Sequence, residues 1–437
     1  MKRRDIIAKS TALAASAALP VSAWAQKAAP LKTGKPYAGV ELNLLSVVAP
    51  QFSAHERKLA EFEALTGIKV KYQYVPFINT REKLTAELVA QSAQYDILSV
   101  MDVWGPSLYN MFEPINERIA EKKIDMNRYA GAHLRAARDG NGNGKNILGM
   151  PIRGHVQLMF YRKDVFDNLN LKAPNTWDEM IEHSKIIQAQ TDLSGVAMYD
   201  GKTAGQNLMI WFNYLWGRGG ELLDAKGQPA FNSPAAIGAT QDYVDLYLKH
   251  KICPPGSATF NETDAVTSVA QGKSAMVPVW WWRYAGLTDA KTSTLKPEQV
   301  GYAPLPSFPG KESTTYTNSW FYGINKNSKK KEAAMEFLAW LGDPAVELSV
   351  LLDRSLNEVV AVQTANMLNQ DVNVRFKAMH LFGAQALRGA KGTPLFQQWP
   401  QVSDLLEATI SDVIAGRSQV KPAMDEAANR ARKILRA

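Results

Sequence analysis

Apolar and polar positions change period several times in the first hundred residues beyond the N-terminal stretch. Glu41 to Val48 is an apolar-rich run that predicts a buried strand. Leu59, Phe62 and Leu65 then recur at helical spacing, with Gly67 placed to end the helix. Ile68, Val70, Tyr72 and Tyr74 alternate with polar residues up to Pro76, the period of a strand. A second helix is predicted from about Thr80 to Ser92, and Asp96 to Met101 forms a short apolar strand with Asp102 just beyond it. Strand–helix–strand–helix–strand of this kind predicts an α/β fold with a parallel sheet.

Helix starts are marked clearly farther along. Thr176-Trp177-Asp178-Glu179 has the form of a capping box, and Ser233-Pro234 puts a cap and a first-turn proline ahead of Ile237, Gln241, Val244 and Leu248. Asp343-Pro344 repeats the device before Val346 and Val350. Short apolar strands are predicted at Gln157–Tyr161, Ser274–Val279 and Trp320–Ile324. Val402 to Leu435 reads as two helices parted by Gly416.

The N-terminal segment bears on compartment. Lys2, Arg3, Arg4 and Lys9 precede an apolar Ala/Leu run that ends in Ala23-Trp24-Ala25, a small-x-small cleavage site. The run is too short to span a bilayer, so residues 1–25 are expected to be a signal peptide that delivers the protein to the periplasm as a soluble chain. Arg3-Arg4 also fits a twin-arginine signal, although Lys2 stands where Ser or Thr is usual; either export route is open. Removing the segment takes away a net charge of +3 and lowers the chain from +8 to +5. The remaining excess is dispersed; the one tight cluster, Lys329-Lys330-Lys331, reads as a solvated helix start, and no nucleic-acid partner is implied. Cys253 is the single cysteine, so no intramolecular disulfide can form, and it reads as an inert thiol. A chain of this length exceeds one core and predicts two lobes. Asp139-Gly140-Asn141-Gly142-Asn143-Gly144 begins like a calcium loop, yet Met150 stands at the twelfth position, and a Gly/Asn turn explains it better. No cofactor and no metal are expected.

Several motifs, in order, resemble the family 1 extracellular solute-binding proteins of ABC importers, the group that includes maltose-binding protein. They are Glu61-Phe62-Glu63-Ala64-Leu65-Thr66-Gly67-Ile68-Lys69-Val70, Leu148-Gly149-Met150-Pro151-Ile152, and Phe160-Tyr161-Arg162-Lys163-Asp164. Trp216-Gly217-Arg218-Gly219-Gly220-Glu221-Leu222, Gln271-Gly272-Lys273-Ser274-Ala275-Met276, Gly323-Ile324-Asn325 and Lys331-Glu332-Ala333-Ala334-Met335-Glu336-Phe337-Leu338 continue the series over nearly the whole chain past the signal. The resemblance implies a two-lobed periplasmic-binding-protein fold of type II, with a ligand cleft between α/β lobes and three hinge crossings. By position the crossings fall near Leu148–Arg153, Val277–Trp280 and Asn318–Tyr322. Lobe I is then expected to hold residues 26–147 plus 280–318, and lobe II 148–279 plus 319–437. The implied role is capture of a sugar or polyol by hinge closure and delivery to the transmembrane permease subunits, by a monomer with no stable membrane insertion.

Tryptophan carries the substrate argument. Ten remain past residue 25, and Trp280-Trp281-Trp282-Arg283 directly follows an apolar strand. Neighbours in an extended chain face opposite sides, so three in a row cannot share one core; one or two read alternatively as core plugs at the hinge and at least one is expected on the ligand, with Trp282 matching the family's stacking position. A sugar or polyol offers a face of C–H groups to an indole, removing apolar area worth roughly 25 cal/mol per Å² while its hydroxyls stay free to bond. Planar polar side chains then read those hydroxyls. Asp102, Asn207, Arg283 and Asn318 have that chemistry beside predicted strand ends. Asp102 is the leading polar candidate, with a helix cap for the following segment as its other reading. Trp104 and Trp320 are included with the aromatic set. His155 stands where relatives often place an acid, and reads equally as structural. Gln206, Asn207 and Trp211 lie at a helix start, with helix core the alternative for Trp211. Arg354, Asn357 and Glu358 share a polar loop, and Trp399 precedes the last helices. Ser46, Gln51 and Phe52 are weaker candidates.

Two other functions compete. A binding protein for an acidic ligand (a sugar phosphate, phosphodiester or sugar acid) is suggested by the net charge and Arg283. An exported glycoside-acting enzyme would need a pair of carboxylates at fixed separation. No nucleophile elbow, zinc-ligand set or phosphate loop is present, so no enzyme is expected.

Overall fold

A computed structural model describes residues 31–203 and 205–436; the expected signal peptide lies outside them. Among the described residues are eight strands: β1 (Glu41–Val47), β2 (Lys69–Val75), β3 (Ile97–Met101), β4 (Gly149–Arg162), β5 (Ser194–Val196), β6 (Ser274–Trp280), β7 (Val300–Ala303) and β8 (Thr317–Ile324). They order as β2-β1-β3-β8-β4-β6-β5, with β7 also on β4. β1, β2 and β3 are parallel, as the alternation of strand and helix predicts. The helix Leu59–Thr66 between them stops at Gly67, whose φ of 73° is the left-handed cap that glycine adopts without strain. Phe62 and Thr66 are its buried positions, while Leu65 is 56% exposed: tertiary packing chose a face rotated from the one that apolar spacing suggests.

Caps form where the sequence places them. Ser233 Oγ accepts from the Ala236 amide and Asp343 from the Ala345 amide. Thr176 accepts from Glu179 N (3.1 Å), while the Glu179 carboxylate reaches back one residue further than the box requires, to Asn175 N (2.7 Å). The lysine run is not free in solvent: Lys330 donates to Glu41 O (2.8 Å) and pairs with Asp96 (3.2 Å), and Lys331 pairs with Glu113 (2.8 Å). Asp139 spends its carboxylate inside its own turn, on Asn146 N and Nδ2 at 3.1 and 2.7 Å.

β4 is the spine. Its first half, through Val156, pairs with β8; its second half, from Gln157, pairs with β6 and β7. One strand therefore belongs to two sheets, and the chain crosses between halves at Val156–Gln157. β7 and the helix Tyr284–Thr288 stay with the second half, on β4 and on the helix Glu262–Ala270. β8 returns to the first half, between β3 and β4. The helix Lys331–Leu341 packs there too. The chain crosses last beside Lys391, which exchanges backbone hydrogen bonds with Thr315 and Thr317. The helices Trp399–Ile414 and Val420–Arg436 then pack on the second half, against Gln206–Gly217 and Pro234–Leu248.

This reverses the expected assignment of two segments. β7 and the helix Tyr284–Thr288 belong to the second half and β8 to the first, so Val277–Trp280 is not a crossing. Strand pairing between residues more than a hundred positions apart decides this, and no local pattern encodes it.

Trp281 locks the junction. Its indole donates to Gly154 O (3.1 Å), packs on His380 at 5.2 Å between ring centroids, and is wholly buried. A Cβ on Gly383 would lie 2.1 Å from that ring. Trp281 is therefore core and not a ligand platform. Trp281→Ala is expected to lower unfolding free energy by about 3–5 kcal/mol, read as a lower urea midpoint.

Candidate functional site

Register on β4 and β8 builds one wall of a cleft. Residues directly opposite on antiparallel strands project to the same face. Met101 pairs with Trp320, Trp320 with Arg153, Asn318 with His155, and Gln157 with Trp280. The register shifts between Pro151 and Arg153, leaving Ile152 as an extra residue. A bulge of this kind accommodates the proline and re-aims the side chains that follow it. Met101, Arg153, His155, Asn318, Trp320 and Trp280 all line a cavity of about 290 Å³. It lies outside the carboxyl ends of β1, β3 and β6, where open α/β sheets bind ligands. Gln206, Met209 and Glu262, from two helix starts of the second half, close the opposite side with Trp282 and Arg283.

A smaller cavity of about 130 Å³ shares Phe77, Met101 and Met209 with the first. Trp104, Phe212, Tyr316 and Trp399 line it. Trp104 and Trp320 meet edge to face at 5.1 Å, and Phe77 packs on both. The cleft is thus one aromatic trough with a charged centre.

At that centre, two guanidinium groups lie over the Trp282 ring, Arg153 at 4.5 Å and Arg283 at 4.4 Å from its centroid. Arg283 is bound to Glu262 (2.5 Å) and Thr263 (2.9 Å). Arg153 is 4% exposed, and burial pulls its guanidinium down to about 10, against the nearby Glu262 and Glu358 carboxylates. Burial likewise raises Glu358, with Arg283 and Arg153 opposing. His155 packs on Trp280 at 5.2 Å; burial, then Arg153 and His133, hold its imidazole well below the usual range, so it is neutral at neutral pH.

Several cleft atoms are buried with no protein partner: Arg153 Nε and Nη2, Trp282 Nε1, His155 Nδ1 and Asn318 Oδ1. Each such group costs roughly 1–3 kcal/mol when left unmade. All five belong to residues that line this one cavity, where polar atoms from outside the chain would relieve that cost.

Of the residues singled out by sequence, Trp104, His155, Trp280, Trp282, Arg283, Asn318, Trp320 and Trp399 line the two cavities, as do Gln206 and Glu358. Others are drawn elsewhere. Asp102 is buried and accepts from Val103 N (2.7 Å) and Ser319 N (3.3 Å), fastening the end of β3 to β8; it lines neither cavity, and its side chain caps no helix either. Asn207 donates to Glu407 O (2.9 Å), and Trp211 is wholly buried, donating to Thr240 (2.9 Å). Both join helices inside the second half. Arg354 and Asn357 are exposed and line neither cavity. Gln51 is held by Val360, and Ser46 faces Tyr322. Sequence reading missed Arg153, Met209 and Glu262. Arg153 had a signal, since it is the one charge within the apolar run from Ile147 to Tyr161.

The profile of the bacterial extracellular solute-binding proteins matches residues 48–347. A probable amino-acid ABC transporter periplasmic-binding protein of Sinorhizobium fredii, y4oP, is 26% identical over 353 residues, 79% of this chain and 78% of that protein. Among solved structures, a solute-binding protein of Agrobacterium radiobacter in complex with ribitol is similar over 92% of this chain and all of that one (TM-score 0.79, 24% identity). Maltose-bound MalE3 of T. maritima is similar over 90% of this chain and all of that one (TM-score 0.80, 24% identity).

Burial pushes the Asp102 carboxyl up to about 7, against the Arg135 guanidinium and two backbone donors. An unfolded aspartate releases its proton near 3.9. Between those values the folded protein holds a proton that the unfolded chain has lost, so this group's contribution to stability falls as pH rises. Asp102→Asn is therefore expected to gain stability relative to the native protein as pH is raised from about 4 to about 7, measured by urea unfolding across that range.

Proposed function

Because the chain belongs to the bacterial extracellular solute-binding proteins, we propose that it captures a neutral sugar or polyol between its two halves and delivers it to the transmembrane subunits of an ABC importer. The observation that carries this reading is the set of buried, unpartnered polar atoms within an aromatic trough. A hydroxyl both donates and accepts, so a hydroxylated ligand can satisfy Arg153, Trp282, His155 and Asn318 together, while its C–H faces bury against indole. The ribitol and maltose of the two similar structures belong to that chemical class.

Lining residues come from both halves, so a bound ligand touches Arg153 and Asn318 on one side and Gln206 and Arg283 on the other. Closure about the three crossings follows as a population shift, since only the closed form offers all these contacts. The N-terminal segment exports the chain, which acts in the periplasm as a monomer. No helix among the described residues is long and apolar enough to cross a membrane.

An acidic ligand is disfavoured by the charge balance. Arg283, which with the net charge suggested that reading, is already neutralised by Glu262, and Glu358 adds a second carboxylate to the cavity wall. The same ion pair argues against hydrolysis. With Glu262 tied to Arg283, the two carboxylates of the larger cavity are not both free to act as acid and base.

Isothermal titration of the chain from Gln26 onward with ribitol, D-mannitol and maltose is expected to give binding by at least one. Its affinity should change by less than about twofold with ionic strength, as for a neutral ligand. Trp282→Ala should weaken that binding by about tenfold or more and leave the ligand-free fold intact. Binding that collapses with added salt, or that ignores the loss of Trp282, would reject the neutral-ligand and aromatic-wall readings respectively.

A further inference from the structure

Arg153 holds an unpartnered two-pronged fork at the wall of the cleft. Its Nε and Nη2 are adjacent donors on one edge of the guanidinium, and both are buried without a partner. Arg162 uses the same two nitrogens to hold both oxygens of Asp164, at 2.8 and 2.6 Å. Nothing in the protein fills the corresponding place at Arg153. The side chain is nonetheless held by its surroundings. Its guanidinium lies over Trp282 at 4.5 Å and Phe52 at 5.9 Å, and its strand is bent at the Ile152 bulge just before it. A buried fork with both donors unpartnered selects for two oxygen atoms side by side.

Glu358 supplies the complement. It lines the same cavity and, among the described residues, forms no hydrogen bond and no ion pair. Three ligand chemistries could meet an open fork. A carboxylate fills Arg153 but brings no proton to Glu358. An amino-acid zwitterion answers Arg153 and Glu358, yet its head group has nothing left for Trp282 Nε1, His155 Nδ1 and Asn318 Oδ1. A pair of neighbouring hydroxyls gives two oxygens to the fork and two protons to acceptors, and further hydroxyls along the same ligand reach the remaining atoms.

We propose that Arg153 is the specificity-determining residue of the cleft, its Nε/Nη2 fork reading two vicinal hydroxyl oxygens of a neutral polyol or sugar whose protons are accepted by Glu358. The inference rests on the solute-binding reading above and deepens it. Arg153 discriminates by geometry as well as by charge, so a lysine in its place keeps the charge and loses the recognition.

The test titrates the native protein, Arg153→Lys and Glu358→Gln with ribitol, D-mannitol, maltose, D-gluconate and L-glutamine, and then with monodeoxy analogues of any neutral ligand that binds. A neutral compound is expected to bind best. Arg153→Lys should weaken it by about thirtyfold and Glu358→Gln by about fivefold. The deoxy analogue lacking one of the two hydroxyls should bind weakly to the native protein and lose little more on Arg153→Lys. Should Arg153→Lys destabilise the ligand-free protein, Glu358→Gln and the deoxy analogues carry the test alone. Neutral binding that stays within about twofold on Arg153→Lys overturns the fork and leaves the sugar or polyol reading standing. Tightest binding of D-gluconate or L-glutamine, lost on Arg153→Lys, shows that the fork reads a carboxylate and overturns the diol. If nothing in the panel binds, the carbohydrate reading falls, and this inference with it.

Discussion

The antiparallel pairing of β4 with β8 is the constraint on which the rest of the molecule depends. It closes the first sheet, and the continuation of β4 past Val156 founds the second. The two halves therefore share a strand and not merely a linker. The same register aligns Met101, Trp320, Arg153, Asn318 and His155 on one face. The joint between halves and the wall of the cleft are consequently one piece of hydrogen-bonded structure.

That economy has an energetic side. Buried polar atoms without partners oppose folding, and the cleft keeps five of them. What holds them in place is aromatic and aliphatic packing: Trp281 wedged against Gly154 and His380, Trp104 against Trp320, Phe52 beneath Arg153. A guanidinium beside indole keeps its charge partly stabilised by the ring while its edge stays available. Core packing thus supports a polar surface left unsatisfied in the ligand-free protein, the condition for strong and selective recognition of a hydroxylated molecule.

Much of this was legible beforehand. The strand–helix alternation through Met101, the caps at Thr176, Ser233 and Asp343, and the stop at Gly67 are local features, and they form as local physics requires. Clustered tryptophans pointed to the right region, and Trp280 and Trp282 flank the cavity while Trp281 between them faces the core; the strand ends at Trp280 and Trp281–Arg283 form a tight 3-10 turn, so the turn and not strand alternation separates them. Asp102 and Trp211 were misplaced for one reason. A carboxylate at a strand end and an indole on a helix look alike from sequence whether they face a cleft or a neighbouring element. Arg153 was overlooked because a lone arginine inside an apolar strand gives no hint of which pairing will leave its donors open.

The kind of elements, their order and the kinship with solute-binding proteins are written in the sequence, in residues close together or in motifs that recur in order. Tertiary structure alone decided which segment completes which half, which of three adjacent tryptophans are walls and which is core, and that Arg153 stands unpaired beside Glu358. Those outcomes depend on strand register between positions far apart in the chain. A register shift of one residue, such as the bulge at Ile152, exchanges inside for outside without altering any local pattern.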